Sequence, residues 1–180
     1  MDKGIIRIKD KDFKPYLPAR ELDRIIGELA EKINRDYAGR SPLLLPVLNG
    51  AFIFAADLVK KIKLPCRISL VKMSSYSGLE STNKVQDLIG LQEDISGQDV
   101  IIIEDIVDTG VTMAHMLDML KEKNPKSVAI CSLFFKPEKF TKDYPVQYIG
   151  KSIPNDFVVG YGFDYDGFGR NLPDIYSIVE

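Results

Sequence analysis

The sequence predicts an α/β chain organised around a parallel sheet. Short apolar runs alternate with helical stripes through residues 43–135, the order that sets helices between parallel strands. Within that region Val100-Ile101-Ile102-Ile103 reads as a strand buried on both faces. In the last third the pattern changes to short strands separated by turn residues, which predicts a small antiparallel lobe completed by N-terminal residues. A chain of 180 residues with 45% hydrophobic content is long enough to bury a core. One domain over 1–180 is expected, with a core over about 18–136 and the lobe built from the N-terminal residues and about 140–180.

Leu22, Ile25, Ile26, Leu29, Ala30 and Ile33 form an amphipathic stripe, so 18–36 is expected to be helical. Leu43 to Leu48 reads as a buried strand, Asn49-Gly50 as a turn, and Ala51 to Ile62 as a largely apolar helix. Arg67 to Met73 alternates and reads as the next strand. The stretch Ser74 to Lys84 is polar and too long for a tight turn, as binding loops and lids often are. Gly97-Gln98-Asp99 turns into the apolar strand, with Glu104-Asp105 at its end. The helix that follows the next turn carries Met113, Met116, Leu117 and Leu120 on one face. Ser127 to Phe135 is a further buried strand, ended by Lys136-Pro137. Val146 to Lys151, Phe157 to Tyr161 and Asp174 to Val179 read as the short strands of the lobe.

Charge and cysteine use exclude several classes. A formal net charge of −2 argues against a general nucleic-acid binder but leaves room for a local cationic pocket. Cys66 and Cys131 are far apart without metal spacing and read as reduced, buried thiols. The start Met-Asp-Lys-Gly has no apolar signal core, and the region Pro42 to Val59 is interrupted by Pro46, Asn49, Gly50 and Asp57. A cytoplasmic protein without membrane or nucleic-acid partners is therefore expected. His115 lies off its helix's apolar stripe, which suits a solvated side chain better than a metal ligand.

The chemistry concentrates after Ile103. Glu104 and Asp105, at the C-terminal end of a parallel strand where ligands bind in such folds, suit ribose hydroxyls or Mg²⁺ held with a substrate phosphate. Asp108-Thr109-Gly110-Val111-Thr112 then combines two hydroxyls, a glycine and a helix N-terminus, an anion site. The segment lacks the Gly-Lys-Ser/Thr of a P-loop and the G-x-G-x-x-G of a dinucleotide fingerprint. Alone, Asp108 also reads as a helix N-cap, Lys136 as a surface lysine and Arg170 as a loop charge.

Val100 to Thr112 closely resembles the phosphoribosyl-pyrophosphate (PRPP) signature of type I phosphoribosyltransferases. Residues 43–59, 67–112, 127–136 and 157–172 are similar, in the same order, to the hypoxanthine–guanine branch of that family. The resemblance implies a parallel-sheet core under a small hood, and Mg²⁺-dependent transfer of 5-phosphoribosyl from PRPP to N9 of hypoxanthine or guanine. The products would be IMP or GMP and pyrophosphate, and the enzyme a homodimer or homotetramer. By position, Ile106, Val107, Asp108, Thr109, Gly110, Val111 and Thr112 would bind the PRPP phosphate, and Glu104 and Asp105 the ribose. Asn49, Gly50 and Arg170 would hold pyrophosphate, although many relatives carry Lys in place of Asn49. Ser75-Tyr76 would open a loop that closes over the reacting centre. Asp108 would take the purine N7 proton, Lys136 would donate to O6, and Phe157 and Val158 would receive the ring and its edge. Glu104, Asp105 and Asp164 would serve the metal, with Asp164 also beside the bound substrates. The alternatives are an RNA-binding regulator of the same fold, disfavoured by the acidic charge balance, or an enzyme for another base such as xanthine.

Overall fold

The computed structural model describes residues 4–75 and 86–179. In chain order the elements are β1 (Ile6–Ile8), β2 (Lys11–Leu17), α1 (Ala19–Asp36), β3 (Leu43–Pro46), α2 (Phe52–Lys61), β4 (Arg67–Ile68), β5 (Lys72–Ser75) and β6 (Gln86–Ile89). They continue with β7 (Asp99–Val107), α3 (Val111–Lys121), β8 (Ser127–Phe135), β9 (Tyr148–Ser152), β10 (Val158–Val159) and β11 (Ile175–Ile178).

The core is a five-stranded sheet in the order β4-β3-β7-β8-β9, every neighbouring pair parallel. Alternation along β7 divides its apolar side chains between two layers. Ile101 and Ile103 pack with Ile26, Leu29 and Ile33 of α1 and Phe54 and Leu58 of α2. Val100 and Ile102 pack with Met113, Met116 and Leu120 of α3. The hood is a four-stranded antiparallel sheet in the order β1-β2-β11-β10. Phe163 of the hood stacks on Phe134 of the core with ring centroids 5.4 Å apart. Pro18 precedes α1 and has no capping oxygen, and the hood supplies one: Ala19 N–H donates to Asp174 Oδ1 at 2.6 Å.

Four expectations are corrected. β9 is not part of the hood; Cys131↔Tyr148 and Phe134↔Lys151 pair it parallel to β8. A short strand carries no signal of which sheet accepts it. Arg67 to Met73 is not one strand: β4 joins the core, while β5 leaves to pair antiparallel with β6. β7 does not stop before the carboxylates, because β8 continues beside it through Glu104↔Ser132 and Ile106↔Phe134. Cys66 is half-buried, whereas Cys131 is buried as expected. Among the described residues no helix is long and apolar enough to cross a membrane.

Candidate active site

The C-terminal ends of β3, β7 and β8 lie side by side, and the turns leaving them carry most of the polar residues singled out above. After β7 the chain passes through Asp108 and Thr109 to Gly110, whose φ of 81° caps α3 in the left-handed region. A Cβ at Gly110 would lie 2.6 Å from the Phe140 ring and 2.8 Å from the Tyr144 hydroxyl, so only glycine fits. The Gly110 carbonyl accepts the Ala114 N–H at 3.0 Å and the Tyr144 hydroxyl at 2.6 Å, which fixes the turn from behind. In front is a cavity of about 90 Å³ lined by Glu104, Ile106, Val107, Asp108, Thr109 and Thr112, among others. Val111 is exposed and its side chain is not among the lining residues.

The helix cap is Gly110, and the side chain that reaches the first turn is Thr109, whose Oγ1 accepts the Val111 N–H at 3.4 Å, so Asp108 is not the cap. Its Oδ2 instead faces two ammonium groups, Lys139 Nζ at 3.5 Å and Lys136 Nζ at 3.7 Å. Lys136 is buried, not a surface lysine. Asp108 Oδ1 and Glu104 Oε2 are buried and have no hydrogen-bond partner among the described residues. Such groups are costly unless something binds them. Sequence reasoning missed Lys139; the signal was its position three residues after Lys136, across a turn closed by Lys139 N–H to the Lys136 carbonyl at 3.1 Å.

On the other face of β7, Asp105 meets the turn after β3. A Cβ at Gly50 would lie 1.7 Å from Asp105 Oδ2, so the glycine backbone rests directly on the carboxylate. Asp105 Oδ1 accepts the Ile106 N–H at 2.8 Å. The Leu48–Asn49 peptide is cis and Asn49 is exposed. Among the described residues the N–H groups of Asn49 and Gly50 have no acceptor. Arg170 is half-buried, not a free loop charge: it pairs with Asp164 and donates to the Gly162 carbonyl at 2.5 Å. Asp164 also accepts the Gly167 N–H at 2.7 Å.

In the hood, Phe157 is 45% exposed and lies beside Phe13 and Tyr165. Val158 sits on β10, the edge strand. The Phe157 carbonyl turns inward to accept the Ile178 N–H at 3.0 Å, so alternation turns the Val158 backbone groups to the open edge. Ser75 closes β5 opposite Gln86, and Tyr76 lies outside the described residues, as does the loop 76–85.

Burial, reinforced by the adjacent Asp105 charge, pushes the Glu104 carboxyl well above its ordinary range. Burial pushes Asp105 up to about 6, partly offset by the Ile106 N–H and the Arg170 charge. Both groups favour the protonated fold. Their stabilisation is complete below the unfolded value of about 4 and is lost as pH rises through the folded value. The melting temperature should therefore fall between about pH 4 and 7, and Asp105→Asn should flatten that fall and melt higher at neutral pH. Equal slopes for the two proteins in a pH series of melts would refute this.

The donor set suits a hard cation: carboxylate oxygens, of which Glu104 Oε2 is buried and unpartnered among the described residues. Among the described residues no three acidic, His or Cys side chains converge tightly enough to enclose a metal alone. Mg²⁺ is commonly held that way, by one or two carboxylates with substrate phosphates completing the shell.

Comparison with known proteins identifies the family. Residues 14–166 match the model of the phosphoribosyl transferase domain. The chain is 41% identical over 166 residues to the hypoxanthine phosphoribosyltransferase of Salmonella typhimurium, covering 91% of this chain and 93% of the relative. It is 42% identical over 173 residues to the hypoxanthine-guanine phosphoribosyltransferase of Streptococcus thermophilus, covering 95% and 96%. A crystal structure of a hypoxanthine-guanine phosphoribosyltransferase from Bacillus anthracis superposes with a TM-score of 0.83 at 35% identity, covering 93% of this chain and 97% of that one. Fold and relatives agree, and the chain belongs to the phosphoribosyltransferase family.

Proposed function

We infer that the chain serves purine salvage, transferring 5-phosphoribosyl from PRPP to N9 of hypoxanthine or guanine and releasing pyrophosphate with IMP or GMP. The observation that carries this reading is Asp108. Among the described residues one of its oxygens is buried and unpartnered, the other faces Lys136, and the residue lines the phosphate-sized cavity.

Thr109, Gly110 and Thr112 receive the 5′-phosphate, with the backbone from Ile106 to Val111 shaping the turn. Glu104 and Asp105 orient the ribose. Lys136 donates to the purine O6, Phe157 stacks on the ring, and Val158 presents backbone groups to its edge. As N9 bonds to C1 of the sugar and the C1–O bond to pyrophosphate breaks, the Asp108 carboxylate takes the N7 proton. The N–H groups of Asn49 and Gly50, without an acceptor among the described residues, hold the leaving pyrophosphate together with Arg170. The Ser75-Tyr76 loop excludes water while the sugar carries positive charge. Catalysis is mainly positioning and electrostatics.

Glu104 and Asp105, with Asp164 nearby, would hold Mg²⁺, which when bound neutralises the pyrophosphate leaving group. Excess chelator should abolish turnover and added Mg²⁺ should restore it; full turnover in chelator would refute the metal's role. Ile68 and Leu70, exposed along the sheet edge at β4, support a homodimer or homotetramer in which they are covered. The protein acts in the cytoplasm as one domain with small-molecule partners. The deciding experiment offers PRPP, Mg²⁺ and single nucleobases, xanthine included, and follows pyrophosphate release. Release with hypoxanthine or guanine is expected, and release with neither would refute the assignment.

A further inference from the structure

Gly160, Tyr161 and Gly162 all have positive φ, at 98°, 51° and 103°. Tyr161 is the one with a side chain, and the left-handed region disfavours an aromatic residue. Strain of this kind persists where the surroundings over-determine it, and it collects at functional sites. Here the surroundings are identifiable. The Tyr161 ring is buried, and its hydroxyl donates to Asp57 Oδ2 at 2.5 Å. Burial and the Asp57 carboxylate raise the Tyr161 ionisation far above its ordinary range, so the hydroxyl remains a donor. Asp57 belongs to α2, the helix that begins immediately after the Leu48–Gly50 turn, and it also pairs with Lys60 at 2.6 Å.

The turn held by Tyr161 presses on that same loop. A Cβ at Gly162 would lie 2.3 Å from the Gly50 carbonyl oxygen. Gly50 in turn rests on Asp105, and Gly162 exchanges two hydrogen bonds with Arg170: its N–H donates to the Arg170 carbonyl at 3.0 Å and its carbonyl accepts from the guanidinium. At the other end, a Cβ at Gly160 would lie 2.0 Å from the Asp174 carbonyl oxygen, so the turn is packed on both sides. An unbroken line of contact thus runs from Asp57 through Tyr161, Gly162 and Gly50 to Asp105, with Arg170 attached.

We propose that the Tyr161–Asp57 hydrogen bond is a latch that seats the hood turn on the Leu48–Gly50 loop, making both side chains positioning residues for the pyrophosphate end of PRPP. The proposal rests on the reading of that loop as the pyrophosphate site. The Tyr161 hydroxyl is spent on Asp57; its effect is transmitted through Gly162. Loss of the latch frees the loop without removing any group that would contact pyrophosphate.

Tyr161→Phe keeps the ring and deletes only the donor. The KM for PRPP, and for pyrophosphate in the reverse reaction, should rise about tenfold, the scale of one lost charge-assisted hydrogen bond. The KM for hypoxanthine should stay within about twofold, because the variant leaves the purine contacts in place. Asp57→Ala should behave alike, and the double variant should be no worse than either single one. Additive effects, unchanged PRPP and pyrophosphate constants, or a melting change with all kinetic constants altered equally would overturn the latch. Amide exchange of residues 47–52 with pyrophosphate and Mg²⁺ separates the two levels. No protection in the natural protein would fail the pyrophosphate reading itself. Protection there with equal protection in Tyr161→Phe at the same pyrophosphate concentration would fail the latch alone.

Discussion

Asp108→Asn is expected to slow the chemical step by about 10²–10⁴ while PRPP binding is retained. The replacement is nearly isosteric, so the turn and the cavity should keep their shape. What changes is the carboxylate meant for the purine proton. Asp108 Oδ1 is buried without a partner among the described residues, and the carboxylate's other oxygen is held by Lys136 and Lys139. A neutral amide accepts no proton and leaves two ammonium groups without their anion. Because Gly110 caps α3, loss of a helix cap cannot account for the defect. Single-turnover kinetics beside a denaturant melt is the measurement. Unchanged turnover in a protein destabilised by about 1 kcal/mol would return Asp108 to a structural role.

Adenine should be rejected relative to hypoxanthine by roughly 10⁴ or more in kcat/KM. Lys136 offers only donors, and it is buried where water cannot substitute for a mismatched partner. The O6 of a 6-oxopurine satisfies it, whereas the 6-amino group of adenine meets it donor to donor. The N1 proton is also reversed, leaving an outward acceptor at Val158 unpaired. Lys136→Ala should lower hypoxanthine activity and shrink the discrimination, since the clash leaves with the side chain. Comparable kcat/KM for the two bases in the natural protein would remove the 6-oxopurine assignment and leave the PRPP site standing.

The strand–turn–helix from Val100 to Leu120 is legible in the sequence because its signals are local: an apolar run, adjacent carboxylates, a glycine turn, and then a helical stripe. Ser127 to Phe135 is legible for the same reason, and its bounds match β8. The place of β9 is not legible, since the same few residues can serve either sheet and pairing with β8 is a long-range choice. Lys139 and Tyr161 also escape a linear reading. Their importance comes from Asp108 and Asp57, each brought to them by the fold across a large separation in sequence. Asp164 and Arg170 emerge from the family resemblance, and their pairing with each other is a property of the fold alone.

The unbroken course of β7 through its carboxylates has a consequence for how such a site can evolve. Glu104 follows Ile102 toward the α3 layer and the phosphate cavity, while Asp105 follows Ile103 toward Gly50. Even and odd positions thus aim two adjacent acids of similar chemistry at different neighbours. Point substitution can trim either acid, yet no point substitution exchanges them. A single codon inserted between Asp99 and Ile103 would invert the parity of the residues from the insertion to Asp105. Glu104 would then face the glycine, Asp105 the cavity, and the buried apolar side chains between the insertion and Glu104 the wrong layers. The strand therefore acts as a reading frame in three dimensions: it tolerates changes of letter, and lineages of this site should accept length changes in loops but none within β7.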